Sequence, residues 1–370
     1  MNIEHFLKNS APSWVKAIGE DADIIMSTRV RLARNLNGYR FPIRFIEDEA
    51  RLINDQVMQA LLSINDNKMH FSYFPIKDLP AMQRQVLVEK HLISPNLANS
   101  DEYSAVYLTE DESVSVMVNE EDHIRIQVLT PGLKLKETFK KAIDVDHFLA
   151  QTLNYAYDEQ FGFLTSCPTN VGTGLRASVM LHLPALTMMK KMNQMIQTLA
   201  RLGMVVRGIY GEGSDNLGNI YQISNQITLG KSEREILDDL ESIVQQIIEQ
   251  ERLARTQLFA RAPISLEDRL FRSLGTLMYA KVLTSEEAAA CLSNVRLGVD
   301  LGIIENISLH QLNECMLLIQ PGFIQQQANA SLEAAERDIF RAKLIQQKLT
   351  LRNDFSNDYK GEKGEDLYDV

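Results

Sequence analysis

The sequence has little that would mark a secreted, disulfide-bonded or membrane protein. Only three of its 370 residues are cysteines, and Cys167, Cys291 and Cys315 lie too far apart for a disulfide framework or a zinc-ligand pair. The amino terminus, MNIEHFLKNSAPSW, lacks a basic segment followed by an apolar core. No window approaches the roughly 18 apolar residues of a membrane span. We therefore expect a cytoplasmic protein that makes no membrane contact.

Common nucleotide-binding signatures are missing as well. The chain contains no Walker A pattern, and the HRD and DFG patterns of protein kinases are absent. Its net charge of −11 argues against general nucleic-acid binding. With 45% hydrophobic and 24% charged residues, the chain has the composition of an ordinary globular protein with one large domain and a smaller one.

Residues from Asp23 to about Asn225 favour strands separated by helices. In DIIMSTRVRLARNL, alternation places Thr28 and Val30 on one face and Arg29 and Arg31 on the other. ESVSVMVNEEDHIRIQVL predicts an antiparallel hairpin with NEED at its turn, and GMVVRGIYGEGSDNLGNIYQISNQ predicts a second with a long glycine-rich loop. Consecutive hairpins indicate an α+β fold with an antiparallel sheet flanked by helices.

After Gly230 the pattern becomes helical. Ser232 and Glu235 of SERE form a capping box that opens a helix, and helical spacing continues to about residue 350. The polar tail FSNDYKGEKGEDLYDV is typical of disorder. We expect an amino-terminal extension over 1–22, a sheet-containing domain over 23–255, a helical domain over 256–352 and a disordered tail over 353–370.

The segment CPTNVGTGLRAS, from Cys167 to Ser178, combines a cysteine, a glycine-rich turn and an arginine. Gly172 and Gly174 permit positive φ and close approach to a ligand. The following LRASVMLHLPAL predicts a helix up to Pro184, at whose start an anion would meet backbone N–H groups and Arg176. The alternative is a structural turn with an inert, buried cysteine.

Five arginines fall on polar strand faces or glycine-rich turns: Arg29, Arg31, Arg125, Arg176 and Arg207. Singly, each is typical of a solvated surface charge, but together their guanidinium forks match the oxygens of a polyphosphate. The sequence also contains two acidic segments that could complement these arginines: NEED and the loop carrying Glu212. Both are compatible with simple turn chemistry, and both also suit a clamp that orients a guanidinium and accepts its proton.

The motifs STRVR, NEEDHIRIQ, CPTNVGTG and RGIYGEGS, in this order, resemble the catalytic domain of the phosphagen (ATP:guanido) kinases, which include arginine and creatine kinases. The resemblance runs from about Asp23 to about Ala254. Phosphagen kinases carry a helical domain before the STRVR strand, whereas this strand begins within thirty residues of Met1 and a helical region follows instead. That arrangement resembles bacterial protein arginine kinases, whose acceptor is an arginine in a protein.

The resemblance implies roles for individual residues. It implies Glu121 as the catalytic carboxylate, Glu212 as the second carboxylate of the guanidinium clamp and Cys167 as a group that holds a guanidinium nitrogen. The implied ATP-binding residues are Ser27, Thr28, Arg29, Val30, Arg31, His91, Arg125, Arg176, Ala177, Ser178, Val179, Met180, Arg207, Gly208, Ile209, Tyr210, Gly211 and Glu212. Without the resemblance, His91 is typical of a core or capping histidine. ATP and Mg²⁺ are the implied cofactors, with no metal bound by the protein itself.

The helical region contains one further motif, ERDIFRAK. By spacing alone it is a charged helix face with two arginines on one side. It resembles a phosphoarginine-binding motif of the protein arginine kinases, which assigns that role to Arg337, Asp338, Ile339, Phe340, Arg341 and Ala342.

The resemblance implies transfer of the γ-phosphoryl group of Mg-ATP to arginines in protein substrates. It further implies marking for proteolysis by a Clp ATPase and protease under stress, a transcription repressor as substrate and a zinc-binding activator protein. A homodimer through the helical region is left open. Two other functions remain as alternatives: a kinase for small guanidino compounds such as free arginine or creatine, and an adaptor of a protease or transcription repressor.

Overall fold

A computed structural model describes residues 2–7, 12–64, 69–100, 103–208 and 217–349. Ten strands are present there: β1 Ile25–Arg34, β2 Phe71–Pro75, β3 Ala105–Thr109, β4 Val114–Val118, β5 Ile124–Pro131, β6 Tyr157–Asp158, β7 Gly162–Phe163, β8 Leu175–His182, β9 Met204–Gly208 and β10 Ile220–Asn225. Eight form one sheet in the order β2-β3-β4-β5-β1-β8-β10-β9, with every neighbouring pair antiparallel. β6 and β7 form a separate pair.

Helices cover both faces of the sheet. They are α1 Glu4–Leu7, α2 Glu47–Ile64, α3 Ala81–Glu89, α4 Pro95–Ala98, α5 Leu135–Ala150, α6 Pro184–Met188, α7 Met192–Arg201, α8 Glu233–Arg261, α9 Pro263–Tyr279, α10 Ser285–Asp300, α11 Leu309–Leu318, α12 Pro321–Ala328 and α13 Ala334–Leu349. The capping box of Ser232 and Glu235 is confirmed at the start of α8. α8 continues through residue 255 and ends at Arg261.

The first face of the sheet is apolar, as the alternation in the sequence predicts. Val30 on β1 and Ile126 on β5 are fully buried there, together with residues of α2, α5 and α8 such as Val57, Val145 and Val244. Burial of these side chains is the main favourable term that holds the helices on the sheet, at about 1.5–3 kcal/mol for each large side chain.

Residues 175–182 form strand β8, and the expected helix is wrong. β8 lies between β1 and β10 and pairs with both, so its backbone groups are satisfied on each side. Leu175, Ala177, Val179 and Leu181 alternate into the apolar core and are fully buried. The helix that does follow begins only at Pro184, with proline in its first turn. The anion site at a helix start is therefore also wrong.

The second face carries two apolar clusters with a polar region beside them. Phe74, Val106 and Met117 pack with α3 on the β2 to β4 side. At one end of the central strands, residues of β1, β5, β8 and β10 pack against the carboxyl-terminal helices, namely Met26, Leu129, Met180 and Ile220. The arginines of β1, β5 and β8 lie toward the other end of those strands, because the neighbouring strands are antiparallel.

The carboxyl-terminal helices also dock on α3 through a buried carboxylate. Glu89 accepts hydrogen bonds from the backbone N–H groups of Gly322 and Phe323 at the start of α12, at 2.8 and 2.9 Å. Burial raises the pKa of Glu89, while these N–H donors lower it. A second junction joins α8 to the segment before β1, where Arg252 pairs with Asp21 and Asp23. Within the described residues, none of the helices has the length and apolar content needed to cross a bilayer.

The contact at Gly322 gives a test of this docking. A Cβ at residue 322 would lie 2.8 Å from Glu89 Oε2 and 2.8 Å from Gln85 Cγ. Gly322→Ala should therefore lower the free energy of unfolding by about 1–3 kcal/mol through overpacking. Urea unfolding measures this change.

Gly275→Ala in α9 is the matched control, because nothing lies within 4 Å of the added Cβ. It should raise stability by about 0.4–1 kcal/mol. Equal unfolding midpoints for the two variants would contradict the packing described at α12.

Candidate active site

Four arginines line a cleft of about 160 Å³ on the second face of the sheet. They are Arg29 and Arg31 on β1, Arg125 on β5 and Arg207 on β9, and His91, Gln127, Gln222 and Ser94 line the same cleft. In the sheet register Arg31 lies opposite Gln127 on one side and Arg176 on the other. The alternation predicted from STRVR therefore places the arginines on one face.

The cleft is strongly cationic. Burial lowers the pKa of Arg29 to about 10, with further lowering by Arg125, Arg176 and Arg207. Burial, Arg29, Arg125 and Arg176 lower the pKa of Arg31 in the same direction. The Nε atom of Arg31 is buried and donates to no acceptor among the described residues. Repulsion among these groups makes a bound polyanion favourable.

His91 lines this cleft and lies two residues after the end of α3. It has a positive φ of 58°, and its ring packs against Trp14 at a centroid distance of 5.3 Å. Burial, followed by the nearby Arg29 charge, lowers the pKa of His91 to about 3. The imidazole is therefore neutral at physiological pH and can act as a hydrogen-bonding or stacking group without adding charge.

The NEED turn joins the cationic cleft to a carboxylate. Arg125 pairs with Glu120 at 2.5 Å and with Glu121 at 2.7 Å. Glu120 is almost fully buried and also accepts a hydrogen bond from Ser94 Oγ at 2.6 Å. The Glu121 side chain is 36% exposed, so one carboxylate edge remains accessible to a ligand. Glu120 is thus enclosed by its partners, whereas Glu121 stays partly open to solvent.

Asp122, the last residue of NEED, connects this turn to the cysteine loop. Its Oδ1 accepts from the Ser166 backbone N–H and from Asn35 Nδ2, both at 2.7 Å. Asn35 in turn accepts from the His123 backbone N–H at 2.8 Å. From the sequence, Asp122 was identified only as part of NEED, without this anchoring role, and Asn35 was missed. The adjacency of Asp122 to Glu121 was the only available signal.

The cysteine loop, residues 166–174, is a tight turn that Thr228 holds through hydrogen bonds. Cys167 precedes a short 3₁₀ helix, Pro168–Asn170, and its Sγ lies 3.1 Å from Thr169 Oγ1. Thr228 Oγ1 donates to the carbonyls of Thr169 and Val171 at 2.9 and 2.7 Å. A Cβ at Gly172, where φ is +112°, would come within 2.6 Å of the Thr228 carbonyl. The positive φ expected here is confirmed.

Arg34 anchors the same loop to β1 and α5. Its guanidinium pairs with buried Asp146 on α5 at 2.8 Å and donates to the Thr173 carbonyl at 3.0 Å. It also lies 3.5 Å from the centroid of the Phe163 ring. Residue 174 must be glycine next to this guanidinium, since a Cβ there would lie 2.6 Å from Arg34 Nη1.

Several residues of the ATP-binding prediction lie elsewhere. The side chains of Val30, Ala177 and Val179 point into the apolar core on the opposite face. Thr28 donates to the Gly132 carbonyl, and Met180 packs against the carboxyl-terminal helices. Ser27, Ser178 and Gly208 are buried within the sheet. Ile209, Tyr210, Gly211 and Glu212 lie outside the described residues, as does the tail 353–370.

The ERDIFRAK motif lies on α13. Arg341 is buried and donates to the carbonyls of Ile319 and Leu283 at 3.0 and 2.7 Å, and it pairs with Asp338. Arg337 is partly buried and donates to the Leu332 carbonyl at 2.8 Å. Ala342 is buried, whereas Ile339 is 42% exposed. Arg341 therefore organises the packing of α13, and Arg337 is the more accessible of the two arginines.

An antiparallel sheet with an arginine-lined cleft and an adjoining carboxylate turn is compatible with a phosphotransferase of the phosphagen kinase class. Residues 52–254 match the ATP:guanido phosphotransferase C-terminal catalytic domain, and residues 263–359 match the protein-arginine kinase McsB C-terminal domain. The solved taurocyamine kinase of Schistosoma mansoni has a TM-score of 0.57 and 28% identity over 62% of this chain and 33% of that one. Lombricine kinase, with a TM-score of 0.56, 24% identity and coverage of 66% and 70%, shares the fold.

Curated relatives agree with these matches. The protein-arginine kinases of Geobacillus sp. (strain WCH70) and Bacillus subtilis (strain 168) are each 51% identical to this chain, over 352 and 356 residues. Both alignments cover 95% of this chain and 97% of the relative. The chain belongs to the protein-arginine kinase family and is an enzyme that transfers phosphoryl groups. The resemblance and the α+β fold inferred from the sequence are confirmed.

The Asp122 link gives a second prediction. Asp122→Ala should lower the free energy of unfolding by about 1–3 kcal/mol, because the Ser166 N–H and Asn35 Nδ2 lose a fully buried acceptor. Phosphotransfer should fall as well, since Glu121 and Cys167 lose their common anchor. Urea unfolding and a phosphotransfer assay on the same variant measure both effects.

Asp158→Ala is the control, because Asp158 accepts two backbone N–H bonds in an exposed turn, where water can replace it. We expect a change of about 0.5 kcal/mol or less there. If Asp122→Ala were as stable and active as Asp158→Ala, the proposed link would be wrong.

Proposed function

We propose that this chain transfers the γ-phosphoryl group of ATP, bound with Mg²⁺, to a guanidinium nitrogen of arginine residues in proteins. The observation that carries the proposal is the position of Arg125, which lines the cationic cleft and pairs with Glu121 at 2.7 Å. A polyphosphate in the cleft and a guanidinium at the exposed edge of Glu121 would therefore lie next to each other.

The donor half of the site consists of the arginines. Arg29, Arg31, Arg125, Arg176 and Arg207 bind the phosphates and stabilise charge on the transferring group. Mg²⁺ would neutralise part of the phosphate charge. Because the described residues contain no group of three or more His, Cys, Asp or Glu side chains that could hold a metal ion, we assign the ion to the nucleotide phosphates.

The acceptor half consists of carboxylates and the cysteine. Glu121 orients the guanidinium and takes one of its protons, which raises the nucleophilicity of the nitrogen. As the nitrogen–phosphorus bond forms, the bond from the γ-phosphorus to the bridging oxygen breaks, and the electron pair leaves with ADP. Glu212 is proposed as the second carboxylate of the clamp, and Cys167 holds a guanidinium nitrogen.

We assign phosphotransfer to residues 23–255 and recognition of phosphoarginine to the helical region 256–352. Arg337 is the group that would bind the phosphate, because the Arg341 guanidinium already donates to two carbonyls and to Asp338. From the family resemblance we also propose cytoplasmic marking of proteins for Clp proteolysis, a transcription repressor among the substrates and stimulation by a zinc-binding activator.

Glu121→Gln should abolish most phosphotransfer while retaining nucleotide binding. The amide keeps the shape of the side chain but cannot accept the proton, and loss of a general base lowers rates by about 10²–10⁴-fold. Transfer of label from γ-labelled ATP to an unfolded arginine-rich protein and to free arginine measures the rate. A nucleotide titration measures the binding.

Glu159→Gln, in an exposed turn, is the control and should behave as the unsubstituted protein. Full activity in Glu121→Gln would remove this residue from the mechanism. Label on free arginine alone would identify a kinase for small guanidino compounds and refute the protein acceptor.

For the helical region, Arg337→Ala should weaken phosphoarginine binding by about 10–100-fold, since hydrogen bonds to charged groups contribute about 1.5–3 kcal/mol. Calorimetric titration with phosphoarginine measures the affinity. Lys343→Ala, an exposed cation on the same helix, is the control. Unchanged affinity in Arg337→Ala would contradict the assignment.

A further inference from the structure

A groove of about 530 Å³ lies beside the NEED turn and belongs to neither half of the site described above. The residues that matter here are Pro42, Phe45, Ile46, Glu47, Asn119 and Glu120, and we call this the flank groove. Asn119 and Glu120 directly precede Glu121, so one wall of the flank groove is the turn that presents this carboxylate. Its volume is in the range typical of ligand sites.

The opposite wall is the loop over residues 40–46, and it is fixed to the same turn. His123 Nδ1 accepts from the Leu36 backbone N–H at 3.0 Å, so its Nε2 carries the proton and donates to the Arg40 carbonyl at 2.9 Å. Burial lowers the pKa of His123, which keeps it neutral in this role. The Phe45 ring stacks on the imidazole at 6.4 Å and 14°. The loop is thereby held in a defined position relative to Glu121.

Glu49 on α2 fixes the other end of this loop. It accepts from Arg40 Nε at 3.0 Å and from the Ile46 backbone N–H at 3.2 Å. Despite these anchors, two isoleucine side chains of the loop are open to solvent, and one of them, Ile46, lines the groove. Ile43 is 82% exposed and Ile46 is 48% exposed. A rigid loop that presents apolar side chains beside a reacting group is suited to contact with a partner.

The chemistry of the lining identifies that partner. Pro42, Phe45 and Ile46 offer an apolar surface, and Glu47 supplies an exposed carboxylate, whereas the Glu120 carboxylate is already held by Arg125. No lysine or arginine of the described residues lines the groove. The charge is thus opposite to that of the nucleotide cleft and repels phosphate.

We propose that the flank groove binds the polypeptide next to the acceptor arginine and selects substrates with apolar and basic residues there. This inference rests on the proposed function, because it places the segment of a protein substrate beside Glu121. The groove therefore determines specificity, while the arginine cleft and Glu121 carry the chemistry.

Binding of short fluorescent peptides to the full chain in the presence of ADP tests this directly. Each peptide has one central arginine, flanked by leucine and lysine, by glycine and serine, or by aspartate. The leucine–lysine peptide should bind about tenfold more tightly than the glycine–serine peptide, and the aspartate peptide should bind weakest.

Ile46→Ser should weaken binding of the leucine–lysine peptide about five- to tenfold and leave the glycine–serine peptide unchanged. Glu47→Gln should weaken it about two- to fivefold at low salt, and this loss should vanish at high salt. Ile264→Ser, an 80% exposed isoleucine on α9, and Asp48→Asn, the neighbour of Glu47 that does not line the groove, are matched controls.

The inference is overturned if the three peptides bind equally, or if Ile46→Ser and Glu47→Gln bind them as the controls do. It is also overturned if Ile46→Ser alters only the oligomeric state in sedimentation, because the groove would then hold a second copy of the chain. Transfer of label to the bound peptides is measured separately. Selective binding without transfer would refute the proposed function and leave the groove assignment intact.

Discussion

The buried pair of Arg34 and Asp146 holds the active-site region together. It joins the end of β1 to α5, and the same guanidinium donates to the Thr173 carbonyl and lies over the Phe163 ring. Removing one member of such a pair typically costs about 3–5 kcal/mol, because the other is left charged without a partner. The cysteine loop is therefore held in one position relative to the sheet. In that position Ser166 N–H can donate to Asp122, and Thr228 Oγ1 can donate to the Val171 carbonyl.

The two faces of the sheet differ in polarity: one is apolar and the other carries the arginines of the cleft. One face packs against the apolar core. The other carries guanidinium groups, whose mutual repulsion is offset in part by Glu120 and Glu121. Antiparallel pairing brings Arg29, Arg31 and Arg176 together from strands far apart in sequence. Repulsion among these guanidinium groups is unfavourable without a ligand. A bound polyphosphate would relieve it, so the face is complementary to such an anion. The flank groove carries the exposed Glu47 carboxylate and no cation among the described residues, so in the proposed function donor and acceptor would bind on different sides of Arg125.

The sequence predicted the parts of this arrangement that have a local signal. Period-two alternation predicted the arginine face of β1, and the glycines predicted the positive φ values at Gly172 and Gly174. β8 was mistaken for a helix because alanine, methionine and leucine favour helices locally, while pairing with β1 and β10 decides the structure. Asp122 and Ser166 are 44 residues apart, and no local pattern encodes their bond.

The docking of α12 on α3 affects how modular the chain is. The family matches divide it between residues 254 and 263, yet the carboxyl-terminal helices cover Met26, Met180 and Ile220. They also supply two of the N–H donors to buried Glu89, two residues before His91 at the nucleotide cleft. Replacing the helical region by that of a relative would therefore expose these apolar side chains wherever the new helices fit poorly. It would also leave the buried Glu89 carboxylate without its two N–H donors unless α3 changed as well. The helical region and α3 therefore depend on each other through matched contacts.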